Sequence, residues 1–239
     1  MAKGTRGDCQ SARRRVLRGI GGMVALLVQF ALTRSALAAS AAGQVAFLRG
    51  AASARQPDEP QRLLREGDPV RPGDLIVTAE DTTLRLEFAD GTRAFLGSRT
   101  EMRVRSYAAG GDDPVFAVEV AKGVFRFVTG LIARVKPGAF RVDTPAVSVG
   151  IRGTDFAGEI SGTAVTVVLL DPEDQGRPTA IVVSNRGGSV VIDEAGFGTD
   201  APDADTAPSP PRRMRLQSVD NLLRSLQMMQ RVPVPRPPR

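Results

Sequence analysis

Val142-Asp-Thr-Pro-Ala-Val-Ser-Val-Gly-Ile-Arg-Gly-Thr-Asp-Phe156 joins two strand-like runs through turn residues, and the rest of the chain reads outward from it. Thr144 and Pro145 precede a short apolar run that ends at Arg152, and Gly153 permits a backbone geometry that a side chain would forbid. Thr154 and Phe156 suit the start of the next strand. Arg152 is expected to clamp this turn by pairing with Asp143 or Asp155, or else to contact a ligand.

The same two-residue period runs upstream. Leu84, Leu86 and Phe88 alternate with Arg85 and Glu87, the pattern of a strand with one face in the core and one in water. Asp90-Gly91 offers the positive-φ geometry of a two-residue hairpin turn. That loop would pair Ala89 with Thr92, Phe88 with Arg93 and Leu86 with Phe95, and a one-residue slip would place Arg or Glu on the buried face. Downstream, Phe116, Val118 and Val120 alternate with Ala117 and Glu119, Phe125 and Phe127 flank Arg126, and Phe140 and Val142 flank Arg141. Val165–Leu170 and Ala180–Val183 are denser and suit strands covered on both faces. No helical period of useful length precedes residue 200. Many short strands with glycine-rich turns imply an all-β domain, closed as a sandwich, a roll or a solenoid-like stack.

The ends of the chain differ from this body. Arg13, Arg14, Arg15 and Arg18 precede an apolar run from Gly19 to Leu32, and Ala36-Leu37-Ala38 follows as a small-residue cleavage site, so residues 1–38 read as an export signal cut after Ala38. The arginine run also resembles a twin-arginine signal, with Val16 where an aromatic is usual. An uncleaved anchor is the alternative, although the run is shorter than the ~20 residues that span a bilayer. Residues 200–211 are rich in proline and read as a linker. Beyond it Leu216, Val219, Leu222, Leu223, Leu226 and Met229 share one side of a basic helix that Ser218 could cap, followed by a Pro-rich tail. The segments are thus 1–38, 39–199, 200–211 and 212–239.

Charge follows these boundaries. The whole chain carries 32 basic and 26 acidic residues, but without residues 1–38 the two signs balance at 25 each. Nucleic-acid binding therefore loses its electrostatic footprint. Residues 212–239 carry +6 against −6 on residues 39–211, so the helix is expected to fold onto the body, or to make a weak contact with a membrane surface or partner.

Chemistry is sparse. The chain has no histidine, and its one cysteine, Cys9, lies in the export signal. The commonest general base, zinc ligands and strongest nucleophile are thus missing from the mature chain. No phosphate loop, dinucleotide fingerprint or Gly-x-Ser-x-Gly elbow occurs. Asp112-Asp113, Asp171-Pro-Glu-Asp174 and Asp193-Glu194 lack EF-hand spacing and read as solvated turns. No enzyme activity, metal or cofactor is expected; a carboxylate-based wall hydrolase is the remaining catalytic alternative.

Several of these stretches together resemble the FecR-type periplasmic domain. Thr144-Pro145 before a short strand and Arg152-Gly153-Thr154-Asp155-Phe156 fill its signature, and Gly67-Asp68, Arg71-Pro72-Gly73-Asp74, Thr78 and a strand ending in Asp90-Gly91-Thr92 match its approach. The resemblance spans roughly Val45 to Thr199 and implies a non-enzymatic periplasmic domain whose best-known members regulate ferric-siderophore signalling. In those members a cytoplasmic anti-sigma segment and a membrane helix come first, whereas 18 residues precede the apolar run here. The expectation is therefore an exported binding or scaffold module that contacts an envelope protein or glycan. A membrane-anchored signal-sensing regulator is the alternative. After Phe156, Ala157–Gly162 is expected to interrupt a strand, and Asp171–Pro178 to be an insertion.

Overall fold

The computed structural model describes residues 41–153, 155–171, 179–217, 219–221 and 224. The export signal with its Ala38 cleavage site, Thr154, most of the 171–178 insertion, Ser218, Leu222, Leu223, Leu226, Met229 and the Pro-rich tail lie outside these residues.

The described residues form an all-β structure in which two sheets share one strand. The first sheet runs β4 (Pro69–Val70), β1 (Gly43–Arg49), β6 (Thr83–Phe88), β7 (Arg93–Leu96), β9 (Val115–Val128), β12 (Asp155–Ser161), β13 (Ala164–Leu170), β16 (Phe197–Ala201) and β17 (Arg212–Arg213). The second runs β3 (Arg62–Leu63), β2 (Ala52–Arg55), β5 (Leu75–Thr78), β8 (Glu101–Ala108), β9 again, β10 (Phe140–Asp143), β11 (Ser148–Arg152), β14 (Ala180–Asn185) and β15 (Gly188–Ile192). All pairings are antiparallel except β9 with β10. One five-residue helix, α1 (Leu131–Val135), connects β9 to β10.

The runs around Phe116–Val120 and Phe125–Phe127 are thus one strand of 14 residues. Its first part pairs in the second sheet and its last part, from Gly123, in the first. The buried positions change phase on the way: Phe116, Val118 and Val120 face the core, then Phe125 and Phe127. Gly123 at φ +97° makes that change of phase, so both halves of the strand present their aromatic side to one core.

Six phenylalanines and Tyr107 bind the two sheets together. Phe88 of the first sheet lies 4.5 Å from Phe116 of the second, centroid to centroid, and Phe140 of the second lies 5.6 Å from Phe127 and 6.5 Å from Phe156 of the first. Gly158 lets Phe125 fill the layer, because a Cβ there would stand 2.4 Å from its ring. Rings tilted or edge-on at these spacings add about 0.5–1.5 kcal/mol per pair beyond their burial.

Three expectations are corrected. The Phe88–Thr92 hairpin closes through a three-residue loop, with the Phe88 N–H donating to Thr92 O at 2.8 Å and the Gly91 N–H to Phe88 O at 2.9 Å. Leu86 therefore faces Ala94, and Arg85 faces Phe95. The slip leaves no charge in the core: Leu84, Leu86, Ala94 and Leu96 share the inner face, while Phe95 lies outside beneath Arg126, 5.3 Å from its ring. Secondly, β12 runs unbroken through Gly158 and pairs with β13 along its whole length. Thirdly, β14 is covered on one face only, since Val182 is 42% exposed.

The outer face of β12 and β13 is covered by the chain's own C-terminal part. Ala157 and Val168, paired across those strands, are buried, and a cavity of about 430 Å³ separates them from Met214, Leu216 and Val219. Val219 is buried, and the Asp220 N–H donates to Leu216 O, which starts the expected helix there. Residues 200–211 differ from a free spacer. Asn185 Nδ2 donates to the Asp203 and Thr206 carbonyls, the Ser209 N–H donates to Asp200 O, and Thr199 Oγ1 to Ser209 O. Proline there removes donors from a segment whose remaining polar groups bond to neighbouring strands. Among the described residues no helix is long and apolar enough to cross a membrane.

Candidate functional site

The Asp90-Gly91-Thr92 loop holds α1 in place. The Thr92 N–H and Oγ1 donate to the Asp90 carboxylate at 3.1 and 2.7 Å, which sets the three-residue loop, and Gly91 at φ +83° completes it. The loop then captures the helix start. The Leu131 N–H donates to the Asp90 carbonyl at 2.8 Å, the Ile132 N–H reaches Asp90 Oδ2 at 3.4 Å, and the Gly130 N–H donates to Thr92 Oγ1 at 2.9 Å. These are backbone donors that a helix start leaves unpaired, and here they are buried. Gly130 is the residue that allows the approach, because a Cβ would stand 2.5 Å from the Thr92 nitrogen.

Tyr107 completes the loop from β8, accepting a hydrogen bond from the Asp90 N–H at 2.7 Å. Burial, and then the neighbouring Asp90 carboxylate, push the phenol up to about 12. A phenol near 10 when unfolded and near 12 when folded holds its proton more tightly in the native state. Its contribution to stability is therefore full below pH ~10 and is lost as pH rises towards ~12. Urea midpoints measured across that window should fall less steeply in Tyr107→Phe than in the native chain; parallel profiles would show that Tyr107 is not the titrating group.

The second stretch reaches α1 from the other side. β11 ends at Arg152, Gly153 turns the chain at φ +50°, and a Cβ on Gly153 would sit 3.9 Å from Arg134 Cγ of α1. The Gly138 N–H, just beyond the helix, donates to Ile151 O. Phe156 then enters the core, fully buried. At the opposite end of β11, Thr144 closes the four-residue turn through Thr144 Oγ1 and Val147, with Pro145 exposed. Thr144 and Pro145 thus lie away from α1, and their role is the β10–β11 hairpin.

Arg152 is not the clamp expected of it. Asp155 is bound by Arg126 of β9, whose Nε donates to Asp155 Oδ1 at 2.8 Å and whose Nη2 pairs with Oδ2. Asp143 is bound by Arg141 at 2.6 Å. Arg126 faces outward on β9 beside β12, 29 residues from Asp155 in the chain, so sequence distance hid the pair. Arg152 is exposed and has no ion-pair partner among the described residues.

What the two stretches leave on the surface is α1 itself. Leu131 is 60% and Val135 74% exposed, while Ile132 and Ala133 are buried beneath them. Arg152 lies on the adjoining end of β11, which packs against the helix. Five residues give no periodic signal, so α1 was not legible from the sequence. Among the described residues no group of three or more acidic, histidine or cysteine side chains is arranged to hold a metal.

Residues 74–172, which contain both stretches and the helix between them, match the family described as FecR protein. The likeness to a FecR domain is thus shown over residues 74–172. No curated protein matches the chain. Two crystal structures of a proposed anti-sigma factor from Parabacteroides distasonis ATCC 8503, at 2.50 and 1.65 Å resolution, are similar at 18% identity and a TM-score of 0.48. Each likeness covers 62% of this chain and 63% or 64% of the other, so the chain spans under two thirds of their length. Asp90, Gly91, Arg152, Gly153 and Phe156 all lie within the matched residues, and four of them lie around α1 or its supports.

Proposed function

We propose that this FecR-domain protein is a non-enzymatic, signal-sensing regulator of the bacterial envelope that binds another protein through α1. The observation that carries the reading is the exposed pair Leu131 and Val135 on a helix that Asp90, Thr92 and the Gly153 turn hold rigid. Large apolar groups on a short, braced helix make preorganised anchors for a protein partner. A family match to FecR favours the regulator over a passive scaffold for protein or glycan. The export signal read at residues 1–38 supports a periplasmic location for the domain, with or without an anchor.

The full chain is expressed in its bacterial host with a photo-crosslinking residue at Val135, and the crosslinked product and its N-terminal residue are identified. An envelope protein is expected, with capture reduced at least about tenfold by Leu131→Asp with Val135→Asp, since anchors of this kind each contribute more than ~1 kcal/mol. Deletion of the gene is expected to change a compact set of transcripts. Capture that survives the double substitution would remove α1 as the binding surface; an unchanged transcript profile would remove the regulator.

A further inference from the structure

Of the four sheet edges among the described residues, three are blunted. β3, β4 and β17 are two residues long and carry Arg62, Pro69, and Arg212 with Arg213. Short strands, proline and charge are the usual protection against another chain adding to a sheet. The uncovered length of β1 is guarded as well, since Val45 bonds to Asp68 and Gly67, and Glu66 accepts from the Leu48 N–H. The fourth edge is different. β15, Gly188-Ser-Val-Val-Ile192, is five residues long, uncharged and free of proline, and among the described residues pairs only with β14.

Its exposed side is apolar too. Val191 is 55% exposed and lies opposite Val182, which is 42% exposed. The phase of its hydrogen bonds follows from the turn. Asn185 pairs with Gly188 across the two-residue Arg186-Gly187 turn, so Gly188 and Val190 bond to β14 while Ser189 and Val191 point their N–H and C=O groups to the open edge. Water satisfies such a row in the monomer, and an added strand can take its place.

The sequence around β15 says which strand. Arg186 precedes it and Asp193-Glu194 follow it, all exposed; Arg186 already pairs with Asp205 at 2.8 Å and Glu194 lies 3.7 Å from Arg213, so a second copy would extend these surface pairs rather than meet bare charges. An antiparallel second copy centred on Val190 would set Ser189 opposite Val191 of the other copy, in hydrogen-bonding phase. The same register sets Arg186 opposite Glu194, and twofold symmetry repeats both contacts. A charged edge strand would repel its own copy; this one is neutral with opposite charges at its two ends.

We propose that the free edge of β15 is a self-association surface, on which a second copy of this chain adds antiparallel to form a continuous sheet across a twofold axis. Five residues a side fall short of the ~1,000 Å² that a stable interface usually buries, so the dimer is weak and concentration-dependent. It uses a different face from α1 and leaves Leu131 and Val135 free for a partner.

Sedimentation velocity on the mature chain over a concentration series is expected to show monomer passing to dimer. Val191→Lys should weaken the dimer roughly tenfold, because two charges enter the joint edge. The register has its own test, which the cysteine-free mature chain makes clean. Ser189→Cys and Val191→Cys copies, mixed and oxidised, should crosslink to each other, because hydrogen-bonded partners stand about 5.5 Å apart at Cα, within disulfide reach. Each alone should crosslink far less. A monomer at every concentration, a dimer indifferent to Val191→Lys, or crosslinks formed equally by the single variants would each overturn the proposal, as would a monomeric chain whose β15 captures a strand of a different protein.

Discussion

Gly123→Ala is expected to lower the stability of the β domain by roughly 3–5 kcal/mol, the sum of a strained backbone and an overpacked contact. Gly123 sits where β9 leaves one sheet for the other, at φ +97°. A methyl group there would stand 2.5 Å from Thr100 Cα and 2.8 Å from its Cβ. Thr100 cannot yield. Its Oγ1 accepts from the Val124 N–H and donates to the Val124 carbonyl, both at 3.1 Å, and its own N–H donates to Thr78 Oγ1 at 2.8 Å. The matched control is Gly91→Ala, at φ +83° with nothing within 4 Å of the new Cβ, which carries the backbone strain alone. Urea unfolding of both variants tests the argument. If Gly123→Ala is no worse than Gly91→Ala, β9 does not turn on a rigid corner.

Asp155→Ala should cost about 3–5 kcal/mol, because it leaves the Arg126 guanidinium in a site built for a pair. The Asp155 side chain is 1% exposed and that of Arg126 15%, and the carboxylate takes both Nε and Nη2 of the same guanidinium. Such two-pronged bonds between charged groups are the strong ones, and most of their apparent worth is the penalty of breaking them halfway. Asp155→Leu with Arg126→Leu, which removes both charges, is therefore expected to recover most of the loss. A double-mutant cycle on unfolding free energies measures it. Additive losses would show that the two groups contribute separately and that the pair is incidental.

The parts of the site differ in how far they could be read. Asp90-Gly91 and Arg152-Gly153 declare turns wherever they occur, because few residues accept positive φ and a side chain that bonds its own backbone marks a loop. The loop length at Asp90 was misread because the second acceptor bond, to Thr92 Oγ1, decides between two residues and three. Arg126 was invisible as the partner of Asp155 for a different reason. The two are 29 residues apart and meet only because β9 and β12 pair in register.

Alternation of apolar and polar residues was enough by itself to establish a strand-built, all-β chain, since a period of two is a local property of an extended backbone. The lack of histidine and the confinement of cysteine to Cys9 equally needed no structure. Only the tertiary structure decided that Phe116 and Phe127 lie on one strand shared by two sheets, that Asp90 and Gly153 brace the same helix, and that β15 pairs on one side with β14 and, among the described residues, has no strand on the other. Each of these depends on which segments pair across long stretches of chain, and pairing is settled by the packing of all the strands together rather than by any one of them.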